Sequence, residues 1–240
     1  MKSKRIIKTG MEEKKFDLFA EKKDKLLIAP SILSADFSKM GDETESLCRA
    51  GADLVHCDVM DGVFVPNITF GIKMIKDIKK HSNIPLDVHL MIVEPHKYVK
   101  EFAAAGADII TVHCEACGER LKQTCEEIKQ TGAKCGVAVN PDTPLSAVEN
   151  VLSCCDMLLI MSVFPGFGGQ KFIEDTYKKL RDARKLIEER GLNIVVQVDG
   201  GVNADNCSKI FSAGADIAVA GSAVFNASDR AEAISALKNN

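Results

Sequence analysis

From Leu26 to the C-terminus, short apolar runs alternate with longer polar stretches whose apolar residues recur at helical spacing, the mark of successive βα units. The runs are LLIAPSIL at 26–33, DLVHCDVM at 53–60, PLDVHLM at 85–91, DIITVHC at 108–114, KCGVAV at 134–139, MLLIMSV at 157–163, NIVVQVD at 193–199 and IAVAG at 217–221, eight in all. Each is followed by sequence of helical character, such as SKMGDETESLCRA or EDTYKKLRDARKLIEER. The tetrad Ala-Gly-Ala-Asp recurs at 50–53, 105–108 and 213–216, each time between a helical stretch and a strand. Glycine just past a helix end takes the left-handed conformation that closes the helix, so each copy reads as an αβ turn. Eight such units within residues 25–240 fit an α/β fold, a single-domain (β/α)8 TIM barrel, with a doubly wound open sheet as the alternative. The barrel is preferred because no Gly-x-Gly-x-x-Gly follows the first run.

With 240 residues, 46% of them hydrophobic, the chain suffices for one large core. Residues 25–240 are therefore expected to form one barrel domain, preceded by an N-terminal extension at 1–24. That opening, MKSKRIIKTGMEEKKFDLFAEKKD, is lysine-rich, mixed in sign and without sustained apolar periodicity, and Met11 within it is an alternative start. The formal charge of −3 is spread without a basic stripe, which argues against nucleic acid or an anionic membrane as partner. No apolar run approaches the roughly 18 to 20 residues that span a bilayer, and the first residues lack a secretory signal, so a cytoplasmic location is expected. Nine cysteines, an odd number and several of them inside apolar runs, read as buried free thiols in a reducing compartment. The C-x-x-C at Cys114 and Cys117 has no second pair at zinc-finger spacing and reads as a strand end entering a loop.

Residues two apart on a strand point the same way. In VHCDVMDG at 55–62, His56, Asp58 and Met60 share one face and Val55, Cys57 and Val59 the other. The same alternation pairs His89 with Met91 and Gln197 with Asp199, and puts Met161 near the end of its run. Barrel enzymes gather their chemistry at the C-terminal ends of the strands, so these four strands converge on one mouth. Same-face neighbours lie about 6.5 to 7 Å apart at Cα, near enough for a histidine and an aspartate to reach one ion. His56 and Asp58, with His89 and Asp199, make a two-histidine, two-carboxylate set suited to zinc or another first-row divalent ion, with positions left for substrate oxygens. Singly, each reads as a satisfied polar group at a barrel rim; four at strand ends point to a site. His81 in a helix-to-strand turn, His96 at a helix start and His113 at the rim of the fourth strand are weaker candidates. Met60, Met91 and Met161 are either core fillers or a soft, polarisable wall against a planar, electron-rich intermediate.

Glycine-rich turns supply the other half. Val163-Phe164-Pro165-Gly166-Phe167-Gly168-Gly169-Gln170 follows the sixth run, Asp199-Gly200-Gly201-Val202 the seventh and Ala220-Gly221-Ser222-Ala223 the eighth. Glycine lets backbone N–H groups approach an anion closely, and the loops after strands 7 and 8 are the usual phosphate seat of such a barrel. One such loop is only a turn; three on consecutive strands imply a phosphorylated substrate.

Taken in order, IAPSILSADF at 28–37, VHCDVMDGVFVPNITFG at 55–71, DVHLMI at 87–92, MSVFPGFGGQKF at 161–172, QVDGGV at 197–202 and AGSAVF at 220–225 resemble the signature stretches of the ribulose-phosphate 3-epimerase family. The resemblance runs from about Leu26 to the C-terminus and leaves the extension outside it. It implies His56, Asp58, His89 and Asp199 as metal ligands, Asp58 and Asp199 also as the catalytic acid/base pair, and Ser31, His89 and Asp199 as substrate contacts. It places Gly166, Phe167, Gly168, Gly169, Gly200, Gly201, Gly221 and Ser222 around a phosphate, with Met60, Met91 and Met161 lining the site. It further implies one divalent ion, zinc first with Fe2+, Mn2+ or Co2+ as alternatives, no organic cofactor, a homo-oligomer and a role in the pentose phosphate pathway. Phe164 departs from the polar residue more usual before Pro-Gly-Phe-Gly-Gly, which bears on a local contact of that loop.

Inverting a carbon beside a ketone removes a proton from one face and returns one to the other, so two carboxyl groups flanking the plane are expected. Starting from D-ribulose 5-phosphate, Asp58 is then the base and Asp199 the acid, exchanging roles from D-xylulose 5-phosphate, through a cis-enediolate. D-Allulose 6-phosphate, a six-carbon ketose phosphate, fits the same residues as the alternative substrate. A decarboxylating or aldol-cleaving barrel is expected to place a lysine at the mouth, where none of these positions has one. A non-catalytic sugar-phosphate binder has no need of both aspartates.

Overall fold

Eight parallel strands are hydrogen-bonded in the order β1-β8-β7-β6-β5-β4-β3-β2 in a computed structural model that describes residues 25–239. They are β1 (Leu27–Pro30), β2 (Val55–Met60), β3 (Leu86–Met91), β4 (Ile109–His113), β5 (Lys134–Val139), β6 (Met157–Met161), β7 (Val195–Asp199) and β8 (Ile217–Ala220). The two ends of that order meet. Ser31, just past β1, bridges in parallel to His56, and the Asp53 N–H donates to the Ile28 carbonyl at 3.0 Å. A doubly wound sheet would keep open edges; here β1 has a neighbour on either hand and the sheet closes into a (β/α)8 barrel. The extension read at 1–24 lies outside the described residues.

Strand residues are buried almost without exception, because helices cover the outside and other strands the inside. Outward residues such as Ile28, Val55, Val88 and Ile110 join one large cluster with the helices. Leu27, Ala29, Leu54, Ile109, Met157, Val195, Ile217 and Val219 form a separate one that fills the barrel interior toward the strand starts. Polar interior residues gather on β2, β3 and β7, from His56 and Asp87 up to Asp199 at the end of β7.

The strand starts carry a repeated clamp. Asp53 accepts the Ile28 N–H at 2.8 Å, Asp108 the Leu86 N–H at 2.8 Å, Asp156 the Cys135 N–H at 2.9 Å and Asp216 the Val196 N–H at 2.8 Å. In each case the aspartate's own N–H donates back to the same residue's carbonyl. Each carboxylate also faces a helix cation: Lys238 at 2.7 Å, Lys79 at 2.6 Å, Lys129 at 4.0 Å and Arg184 at 2.5 Å, respectively. The last residue of the Ala-Gly-Ala-Asp turn thus ties an even-numbered strand to the odd one before it. Asp108→Ala strands the Leu86 N–H in a buried setting, which costs about 2 kcal/mol of unfolding free energy in urea titration. Asp108→Asn, which keeps an acceptor oxygen, loses less; an unchanged midpoint in the alanine variant would remove the clamp from the account.

One expected helix is missing. Between β5 and β6 the chain forms only the 3-10 turns Leu145–Ala147 and Leu152–Cys154, although the connection still buries Val148, Val151 and Leu152. Pro141 and Pro144 each remove a backbone donor and bias the preceding residue away from helix. The first run is also shorter as a strand than as a sequence pattern: after Pro30 the chain turns at Ile32–Ser34, with Ser31 Oγ accepting the Leu33 N–H at 3.3 Å.

Candidate active site

Strands β2 and β3 pair in a register that sets His56 beside Asp87, Asp58 beside His89 and Met60 beside Met91. All point inward, so an imidazole meets a carboxylate at two successive levels of the interior. His56 Nε2 lies 3.2 Å from Asp58 Oδ1 and 3.7 Å from Asp199 Oδ2, and His89 Nδ1 lies at the same 3.2 and 3.7 Å from those two oxygens. One donor atom from each of His56, Asp58, His89 and Asp199 falls within 4.8 Å of the others. His56 Nε2 is buried and lacks a hydrogen-bond partner, a costly state for an imidazole nitrogen unless a cation takes its lone pair. Two nitrogens and two carboxylate oxygens around that orphan fit a first-row divalent ion.

The electrostatics agree. Burial alone would push the His56 imidazole down, but the Asp58 and Asp87 carboxylates hold it well above its ordinary value. Burial likewise opposes the charge on His89, and Asp199 and Asp58 overcome it. Asp58 has the converse balance, with burial raising it and His56 and His89 holding it well below the usual carboxylate range. Positive charge is wanted among these carboxylates.

Each imidazole is also held from behind. His56 Nδ1–H donates to Asp87 Oδ2 at 2.7 Å, an oxygen that also accepts from Gln197 Nε2 at 2.6 Å. His89 Nε2 lies 2.8 Å from His113 Nε2, and His113 Nδ1 lies 3.2 Å from Glu115 Oε2. Burial pushes His113 down to about 4 against the pull of Glu115. Glu115 itself, though burial opposes it, is held down to about 2 by bonds from His113, Thr143 and Asn140. His113 therefore sits inside, against His89. Asp87 is not among the residues expected from the sequence, although the two-residue period from His89 points to it. Glu115 carried no signal, because it sits in the short helix Cys114–Cys117 that reads as a strand end. Cys114 and Cys117 are buried free thiols, and burial pushes Cys117 up to about 12. His81 bonds Glu45 on the surface at 2.8 Å, and His96 lies half-buried on the Pro95–Lys97 turn.

Over this cluster opens a cleft. Ser31, Asp58, Met60, Met91, Met161 and Asp199 line it, together with Gly166, Phe167, Gly168, Gly169, Gly200, Gly201, Gly221 and Ser222. His56 and His89 lie beneath it. Asp58 and Asp199 are the only ionisable side chains in the lining among the described residues. Ser31 Oγ donates to Asp58 Oδ2 at 2.5 Å and fixes the plane of that carboxylate. The loop after β6 is pinned by Asn67, whose Nδ2 donates to the Gly166 carbonyl at 2.9 Å, and by Gln170, whose Nε2 donates to the Phe164 and Phe167 carbonyls at 2.7 and 2.9 Å. Gly201 has φ +65°, and a Cβ there would sit 2.5 Å from the Phe172 backbone nitrogen, so a side chain would push the loops after β6 and β7 apart. Ser34, absent from the sequence reading, also lines the cleft, while Phe164 is half-exposed outside the lining.

The sequence profile of the ribulose-phosphate 3 epimerase family matches residues 27–225. The chain is 52% identical over 217 residues to the chloroplastic ribulose-5-phosphate-3-epimerase of Arabidopsis thaliana, covering 90% of this chain and 77% of that one. It is 48% identical over 212 residues to the ribulose-phosphate 3-epimerase of Bacillus subtilis, covering 88% and 97%. The Escherichia coli ribulose-phosphate 3-epimerase is also 48% identical, over 214 residues, covering 89% and 95%. Among solved structures, a mutant tryptophan synthase alpha-subunit from Pyrococcus furiosus superposes with a TM-score of 0.67 at 16% identity, covering 90% of this chain and 97% of that one. Orotidine 5'-phosphate decarboxylase from Pyrococcus horikoshii does so with a TM-score of 0.66 at 15% identity, covering 88% and 97%. These two share the barrel fold.

Proposed function

The chain belongs to the ribulose-phosphate 3-epimerase family, and on that premise we propose that its cleft interconverts D-ribulose 5-phosphate and D-xylulose 5-phosphate, with Asp58 and Asp199 carrying the protons. The observation that carries this reading is that the cleft offers two carboxylates as its ionisable groups, drawn from strands that are not neighbours in the sheet. The C3 hydrogen beside the C2 ketone is acidic enough for a carboxylate to remove when the charge left behind is stabilised. From D-ribulose 5-phosphate, Asp58 takes that proton on one face and Asp199 returns one to the other, through a cis-enediolate; from D-xylulose 5-phosphate they exchange roles. Asp58 is held ionised, as a base must be, by His56 and His89, and oriented by the Ser31 hydroxyl.

His56, Asp58, His89 and Asp199 would hold one divalent ion, zinc first and Fe2+, Mn2+ or Co2+ as alternatives. When bound, it supplies electrostatic stabilisation for charge developing on the substrate oxygens. Met60, Met91 and Met161 face the same space with no proton to give, so reprotonation at C3 is left to the aspartates. With no lysine or arginine in the lining among the described residues, the phosphate rests on the backbone of the loops at Gly166–Gly169, Gly200–Gly201 and Gly221–Ser222, where its distance from C3 fixes the ketose in register. Acid/base chemistry of this kind needs no organic cofactor.

The reading places the enzyme in the pentose phosphate pathway in the cytoplasm. Among the described residues no helix is long and apolar enough to cross a membrane. A homo-oligomer is part of the proposal, supported by the exposed Val63 and Ile68, and sedimentation equilibrium measures it. The function is tested in D2O by NMR. Deuterium enters C3 of D-ribulose 5-phosphate during turnover, with kcat/KM roughly tenfold or more above that for D-allulose 6-phosphate. No label at C3, or a preference for the six-carbon ketose, would overturn it.

A further inference from the structure

We propose that His113 and Glu115 are positioning residues that fix which nitrogen of His89 is free to bind the ion, a relay from the loop after β5 into the donor cluster. The proposal rests on the divalent-ion site above. His89 Nδ1 faces Asp58 and Asp199, so it can serve as a donor only if the proton of the neutral ring sits on Nε2. That Nε2 meets His113 Nε2 at 2.8 Å, a separation that holds one shared proton.

Glu115 decides which ring owns it. Its Oε1 accepts the Asn140 N–H at 2.8 Å and the Thr143 hydroxyl, and its Oε2 faces His113 Nδ1 at 3.2 Å. An ionised carboxylate only accepts, so His113 carries its proton on Nδ1 and turns a lone pair toward His89. The proton between the rings then belongs to His89 Nε2, and Nδ1 is left open toward the carboxylates. The geometry is held on both sides: the Phe64 ring packs 4.9 Å from His113, and the His113 and His89 rings meet with centroids 4.9 Å and planes 20° apart, which keeps the nitrogen lone pairs near one plane. Lys179 in turn holds the loop, donating to the Asn140 and Thr143 carbonyls at 2.6 Å each. His56 has a carboxylate directly behind it in Asp87; His89 reaches one through a second imidazole.

Glu115→Gln tests the direction of the relay at almost constant volume. The Asn140 N–H keeps the amide oxygen, which leaves the amide N–H against His113 Nδ1 and reverses the chain. Co2+ affinity of the metal-free protein, measured by chelator competition, is expected to fall about 10- to 100-fold in Glu115→Gln and in His113→Phe. His113→Gln, whose amide oxygen again accepts from His89, recovers it to within about threefold of wild type. Thermal unfolding of the same proteins separates a packing defect, which would lower stability in both His113 variants without following the acceptor. Wild-type affinity in Glu115→Gln, or equal weakening in the two His113 variants, overturns the relay. A wild-type protein that binds no Co2+ overturns the metal site and the relay with it.

Discussion

Asp58→Asn and Asp199→Asn each stop net epimerisation, with kcat lower by about 10³-fold or more, and they fail on opposite faces of C3. Asparagine keeps an oxygen for the donor cluster but has no lone pair basic enough to take a proton. With Asp58 replaced, Asp199 still removes and returns the C3 proton on its own face, so solvent deuterium enters D-xylulose 5-phosphate without inversion. With Asp199 replaced, only D-ribulose 5-phosphate acquires label. The asymmetry is the informative result, because loss of the metal would silence both epimers alike. Equal metal content is therefore checked in each variant. Ser31, whose hydroxyl donates to Asp58, can turn to accept from the asparagine amide, which keeps the local packing intact. Label entering both epimers in both variants would remove the aspartates from the proton path.

The barrel is legible in the sequence because each strand is buried on both faces and so appears as a run, and the runs can be counted. His56, Asp58, His89 and Asp199 are legible for a related reason: a titratable residue in such a run has to face something that wants it, and the two-residue period says which residues face together. The limits are equally physical. The Ala-Gly-Ala-Asp turns announce themselves through glycine, but the work of their aspartates depends on N–H groups about 20 to 25 residues earlier, which no local pattern reveals. The fourth clamp, at Asp156, follows Cys154-Cys155 with no glycine and escapes the repeat altogether. Asp87 has the period but sits near a strand start, where a charge suggests the rim. Glu115 acts through His113, across strands, and has no period to betray it. The glycine loops named from the sequence do line the cleft, whereas Ser34 reaches it from a 3-10 turn hidden inside an apolar run.

Exhaustive chelation is the second large effect: kcat falls by about 10³-fold, the several kcal/mol of charge stabilisation a bound divalent ion provides, and returns on adding Zn2+, Fe2+, Mn2+ or Co2+ in turn. The barrel itself is expected to remain folded. Its apolar interior cluster and its four aspartate clamps include none of the four donor residues. Within the cluster, Asp58, Asp87 and Asp199 hold His56 and His89 above the ordinary imidazole range, so protons can gather there when no metal is bound. Activity and fold thus separate on chelation: turnover is lost, while the far-ultraviolet circular dichroism and the cooperativity of urea unfolding persist. The order of metals in the add-back series then identifies the ion that this pair of nitrogens and pair of carboxylates prefers. Undiminished turnover in metal-free protein would leave the orphaned nitrogen of His56 without a purpose and would end the metal-assisted reading.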